Sequence, residues 1–213
     1  MTLHTTSSSS PARRPLLRTA IVGALAVATL ASMQGCIALL GVGAVAGGLS
    51  LNDRRTGGTQ VDDQAVELKS SGRIREVIGE KGHINVTSYN RVALITGEVP
   101  ADSDKAAVEK AIAGIEGVSN VVNELEVGAN STISTRSSDT VITTRVKSGL
   151  VDAKDVQSGA IKVVTERGNV YLMGRVTERE ATRASEIARA QPSVMKVVRV
   201  FDILTEEQLG NLK

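Results

Sequence analysis

From Ile84 to Val99 the sequence INVTSYNRVALITGEV places apolar side chains mostly at every second position, the period of a half-buried strand. The pattern returns without a gap as IKVVTERGNVYLMGRV, Ile161 to Val176, at an offset of 77 residues. Ile84 pairs with Ile161, Val86 with Val163, Ala93 with Val170, Ile95 with Leu172, Gly97 with Gly174 and Val99 with Val176. Each copy reads as a β-hairpin. Farther along, Gly117-Val118-x-x-Val121-Val122 matches Ser193-Val194-x-x-Val197-Val198 and supplies a third strand to each copy.

Between the second and third strands the spacing becomes helical, from about Asp102 to Gly114 and from about Thr177 to Ala190. Thr177-x-x-Glu180 is a capping box, and Asp102 is expected to cap the first copy. Ahead of the hairpins, Asp63, Val66, Ser70 and Ile74 repeat the spacing of Asp139, Ile142, Val146 and Leu150, which puts the apolar positions on one helix face. The predicted fold class is therefore α+β: two tandem αββαβ units, each a small three-stranded mixed sheet packed against two helices. The units span residues 62–127 and 139–204, followed by a C-terminal tail at 205–213. Two units this small can dock on each other, although residues 128–138, GANSTISTRSS, read as a flexible linker, and the sequence leaves the docking open.

The front of the chain has a different character. No Asp, Glu, Lys or Arg occurs from Thr19 to Leu51, and Arg13, Arg14 and Arg18 stand before this run, which is the layout of a secretory signal. Within it lies Cys36, the only cysteine. A lone cysteine in an exported chain is a free thiol, an intermolecular bridge or a modified residue. Met33-Gln34-Gly35-Cys36 resembles the lipobox of bacterial lipoprotein precursors, with the required small residue at Gly35. The resemblance implies a signal peptide at residues 1–35, an acylated Cys36 as first residue of the mature protein, and a flexible tether over 36–61. Ile37 is not the Asp that retains lipoproteins in the inner membrane, so the implied destination is the outer membrane, on its periplasmic face. The alternative is an uncut transmembrane helix carrying a Gly43-x-x-x-Gly47 packing signature. A loose dinucleotide fingerprint at Gly41-x-Gly43-x-x-Ala46 lacks the strand and helix it requires.

The paired units, each with Ala93-Leu94-Ile95-Thr96-Gly97 or Val170-Tyr171-Leu172-Met173-Gly174 and a later G/S-V-x-x-V-V, resemble BON domains. With Cys36 and Gly57 to Asp63, the chain is similar to dual-BON outer-membrane lipoproteins that support envelope integrity in Gram-negative bacteria. That resemblance implies a non-enzymatic protein whose second BON domain binds anionic phospholipid through its first helix, here Asp139 to Val151. On that helix Val141, Thr144, Arg145, Ser148 and Val151 form a stripe beside the core positions, with Val141 where relatives can present an aromatic ring. The corresponding stripe of the first unit is Ala65, Leu68, Lys69, Gly72 and Arg75, a weaker lipid face because it contains glycine.

Charge supports an anionic partner. Residues 62–127 carry 7 basic and 12 acidic residues, whereas residues 136–204 carry 12 basic and 8 acidic. A basic second module suits lipid headgroups, and equally an acidic envelope protein, which makes an interaction adaptor the alternative function. Composition narrows the rest. His83 is the only imidazole after the leader and is read as packed or solvated, so neither metal nor other cofactor is expected. Tyr89, Tyr171 and Phe201 are the only aromatic residues, too few for stacking nucleic-acid bases, and no motif points to a small-molecule substrate. Arg54 and Arg55 read as a solvated pair in the tether.

Overall fold

A computed structural model describes residues 53–212; the signal peptide, Cys36 and most of the expected tether lie outside the described residues. The first repeat comprises α1 (Gly57–Ile78), β1 (His83–Tyr89), β2 (Val92–Val99), α2 (Asp102–Ala113) and β3 (Asn120–Val127). The second comprises α3 (Ile133–Asp152), a short 3-10 turn (Ser158–Ala160), β4 (Ile161–Glu166), β5 (Asn169–Thr177), α4 (Glu178–Arg189) and β6 (Lys196–Leu204). In each sheet the second strand is central, antiparallel to the first and parallel to the third. The helix between the second and third strands makes the crossover that a parallel pair demands.

Each hairpin turns in two residues, and both have positive φ: Asn90 and Arg91 at 50° and 68°, Arg167 and Gly168 at 50° and 76°. Such turns follow the strand twist but strain residues other than glycine. A buried aspartate compensates in both repeats. Asp63 of α1 accepts from the Asn90 and Arg91 amides at 2.8 and 2.9 Å, and Asp139 of α3 accepts from those of Arg167 and Gly168 at 2.9 and 2.8 Å. The spacing that marks these residues in sequence therefore records a bond from first helix to hairpin turn.

Alternation along the central strands builds the layers. In β2, Ala93, Ile95 and Val99 face α1 and α2, where Val66, Val108, Ile112 and Ile115 complete a core. In β5, Val170, Leu172 and Val176 do the same with Ile142, Val146, Leu150, Ala184 and Ala188. The opposite faces do not meet water. Tyr89 and Leu94 pack against Tyr171 and Met173, flanked by Val122, Val164, Val198 and Val200, so the two sheets stack face to face with helices outside. The central strands are consequently buried on both sides, so the expectation of half-buried strands does not hold for them, and the docking that the sequence left open is present.

Several boundaries also differ from the sequence reading. α3 begins at Ile133, inside the expected linker, because Thr132 accepts from the Thr135 amide at 3.1 Å. The hydroxyls of Ser137, Ser138 and Thr140 bond carbonyls four residues back, so a composition that reads as a linker is spent inside the helix. α1 begins at Gly57 behind a Thr56 cap, within the expected tether. Asp102 is not a cap: Ala101 holds that position without a side-chain bond, and Asp102 and Asp104 lie in the first turn, where the helix dipole favours anions. The Thr177–Glu180 capping box is present. The tail contains α5 (Glu206–Gly210), closed by a second capping box from Thr205 and Gln208.

Candidate functional site

α3 buries Asp139, Ile142, Val146 and Leu150 and turns its other side to solvent. Val141, Thr144, Arg145, Ser148 and Val151, the residues expected to contact lipid, are all exposed and share that outward face. Val141 is 47% and Val151 69% exposed. Arg145 has no ion-pair partner among the described residues, while Thr144 Oγ1 bonds the Thr140 carbonyl. Because the helix starts early, Ile133 extends the same face, 81% exposed. Sequence reasoning missed Ile133; the spacing of eight from Val141, with Thr132 as cap three residues before Thr135, was the available signal. Leu68 on α1 is 79% exposed, so the first repeat also presents an outward apolar residue.

One flank of α3 borders a groove of about 470 Å³ lined by Arg136, Thr140, Thr143, Lys147, His83 and Glu166, among others. The groove lies where the two repeats meet, and charge organises that boundary. Lys162 bonds Glu67 at 2.7 Å, Arg167 lies 2.7 Å from Glu98 and 3.3 Å from Glu126, and Lys196 lies 3.6 Å from Glu124. Acidic residues of the first repeat thus face basic residues of the second. Part of the sign difference between the repeats is satisfied inside the molecule; Arg145 on the outward face of α3 is outside that set.

At the same boundary His83 Nδ1 sits 3.4 Å from Glu98 and 4.0 Å from Glu166. Glu98 is fully buried and accepts from the Ser131 amide at 2.9 Å; Glu166 accepts from Asn85 Nδ2 at 3.0 Å. Burial pushes the Glu166 carboxyl above its ordinary range; Asn85 and His83 oppose this, while Glu98 and Asp139 add to it. The sequence reading gave His83 no ligand neighbours because Glu98 is its cross-strand partner and Glu166 belongs to the other repeat.

The expected solvated pair Arg54–Arg55 is docked. Arg54 grips Glu180 through two nitrogens at 2.7 and 2.8 Å and also bonds the Arg175 carbonyl and Gln157. Burial alone would raise the Glu180 carboxyl, but Arg54 and the Thr177 amide overcome this and hold it at about 2. Arg55 bonds Asp53 and Asp63 and lies 4.0 Å over the Tyr89 ring. The first described residues therefore fasten the chain to the second repeat and to the first hairpin.

Among the described residues no helix is long and apolar enough to cross a membrane. Two stretches of the chain, residues 62–129 and 138–205, match the BON domain family. Outer membrane lipoprotein DolP of Haemophilus influenzae is 38% identical over 175 residues, covering 81% of this chain and 90% of that protein. A 21 kDa hemolysin of Actinobacillus pleuropneumoniae is 35% identical, covering 70% of this chain and 78% of its own length. Osmotically-inducible protein Y of Escherichia coli is 28% identical, with coverage of 66% and 72%. With two αββαβ repeats, both matched to the family, the chain belongs to the BON-domain proteins and, within them, to the dual-BON outer-membrane lipoproteins.

Proposed function

We propose that this protein is held at the periplasmic face of the outer membrane by an acylated Cys36, and that α3 of the second BON domain binds anionic phospholipid without catalysing a reaction. The observation that carries the proposal is the outward face of α3, where Ile133, Val141 and Val151 stand exposed around an Arg145 with no ion-pair partner among the described residues. Apolar side chains enter the acyl boundary while Arg145 meets phosphate, and Thr144 and Ser148 are short enough to let the helix lie close. The acyl chains of a lipoprotein cysteine hold the protein at a membrane by themselves, so the contact by α3 fixes how the domains sit on the surface to which the tether confines them. Envelope integrity is the role such seating serves.

A soluble form beginning at Ser50, which keeps the docked Arg54 and Arg55, tests the lipid contact. It is expected to sediment with phosphatidylglycerol vesicles, less so as salt rises, and not with phosphatidylcholine vesicles. If it ignores both, the lipid reading fails, and an adaptor docking on an acidic envelope protein takes its place.

A further inference from the structure

The cluster at the boundary between the two BON domains has the donor set of a metal centre. His83 Nδ1 and one oxygen each from Glu98 and Glu166 lie within 4.8 Å of one another. Ligand atoms about 2.0–2.2 Å from a tetrahedral ion stand roughly 3.3–3.5 Å apart. The 3.4 Å from His83 to Glu98 already matches, and the 4.0 Å to Glu166 needs only a small side-chain shift.

The surroundings support the same conclusion. Ser131 N bonds one oxygen of Glu98 and Asn85 Nδ2 bonds one oxygen of Glu166, the outer-shell bonds that orient metal ligands. Glu98 is wholly buried; its Oε1 is ion-paired with Arg167 Nε at 2.7 Å, and its Oε2, which accepts from the Ser131 amide, is the oxygen that stands 3.4 Å from His83 Nδ1. Arg167, shared with Glu126, is the cation paired with Glu98, and Glu166 and Asp139 add negative charge nearby, while Arg136 and Lys147 line the groove. His83 and Glu166 line the open groove beside α3, which gives an ion its entry path.

We propose that His83, Glu98 and Glu166 bind a divalent cation, zinc by donor type, which clamps the first BON domain to the second. Imidazole with carboxylates suits zinc better than calcium or magnesium, which prefer oxygen alone. Two ligands come from the β1–β2 hairpin and the third from the end of β4, so the ion couples the sheet stacking to metal supply.

The test is calorimetric titration of the untagged full chain in neutral detergent with zinc chloride, paired with unfolding temperature and the imidazole NMR signals. Equimolar binding, a higher unfolding temperature and a zinc-dependent shift of the His83 ring signals are expected; His4 is the only other histidine. His83→Ala should lose at least about tenfold in affinity, the loss that even an outer-shell partner causes. Glu166→Gln should lose a similar amount, because the clamp spans both domains. No binding by the wild-type chain, or unmoved His83 ring signals at saturating zinc, overturns the site. Wild-type affinity in Glu166→Gln overturns the clamp.

Discussion

Gly97 and Gly174 hold equivalent places in the two central strands, and both are fixed by how closely the chain passes where it enters the hairpin, at His83 of β1 and at Ala160 just before β4. A Cβ on Gly97 would lie 1.9 Å from the His83 carbonyl oxygen, and one on Gly174 would lie 2.4 Å from that of Ala160. Gly97 also has φ of +113°, so its substitution adds backbone strain to the clash. Gly97→Ala should cost about 3 kcal/mol or more and Gly174→Ala somewhat less, measured by urea unfolding. Equal and negligible costs would show that the hairpins yield. The pairing of these glycines was legible from the repeat alone. Their reason was not, because the obstructing carbonyls belong to residues whose closeness only the strand register reveals. Asp63 and Asp139 behave alike: the sequence marks their repetition, and the fold supplies the turn amides they satisfy.

Among the elements, the helices show how far composition can mislead. The capping box at Thr177 was legible because its two partners lie three residues apart. The start of α3 at Ile133 was hidden by a Ser- and Thr-rich stretch whose hydroxyls bond the helix backbone instead of water. Arg54 was hidden for another reason: its partner Glu180 stands 126 positions away. Arg54→Ala leaves a buried carboxylate unpaired and should destabilise the second domain by about 2 kcal/mol or more, seen as a lower thermal midpoint. Glu180 is held at about 2 against an ordinary 4.5, so the pair's stabilisation is fully present above about pH 4.5 and is lost as pH falls toward 2. Wild-type and Arg54→Ala midpoints should therefore converge in that acid window. Parallel curves down to pH 2 would remove the pair from the stability of this chain.

For the molecule as a whole, duplication explains both what the sequence discloses and what it conceals. Each repeat declares its own strands and helices, because their patterns are local. The stacking of the sheets through Tyr89, Leu94, Tyr171 and Met173 is not local, and the alternation of each strand looks the same whether its second face meets water or another sheet. Stacking also changes how charge is understood, since Glu67, Glu98, Glu124 and Glu126 pair with Lys162, Arg167 and Lys196 across the boundary. The proposed lipid contact lies on the outward side of α3, whose Arg145 takes no part in those pairs. The most direct measurement is the binding isotherm of the form beginning at Ser50 on phosphatidylglycerol vesicles, for wild type and for Arg145→Glu with Val141→Ser and Val151→Ser. Wild type is expected to bind and the triple variant to lose at least about tenfold, as removal of a phosphate contact and two buried apolar groups implies. A folded triple variant with an unchanged isotherm would contradict the assignment of lipid binding to α3.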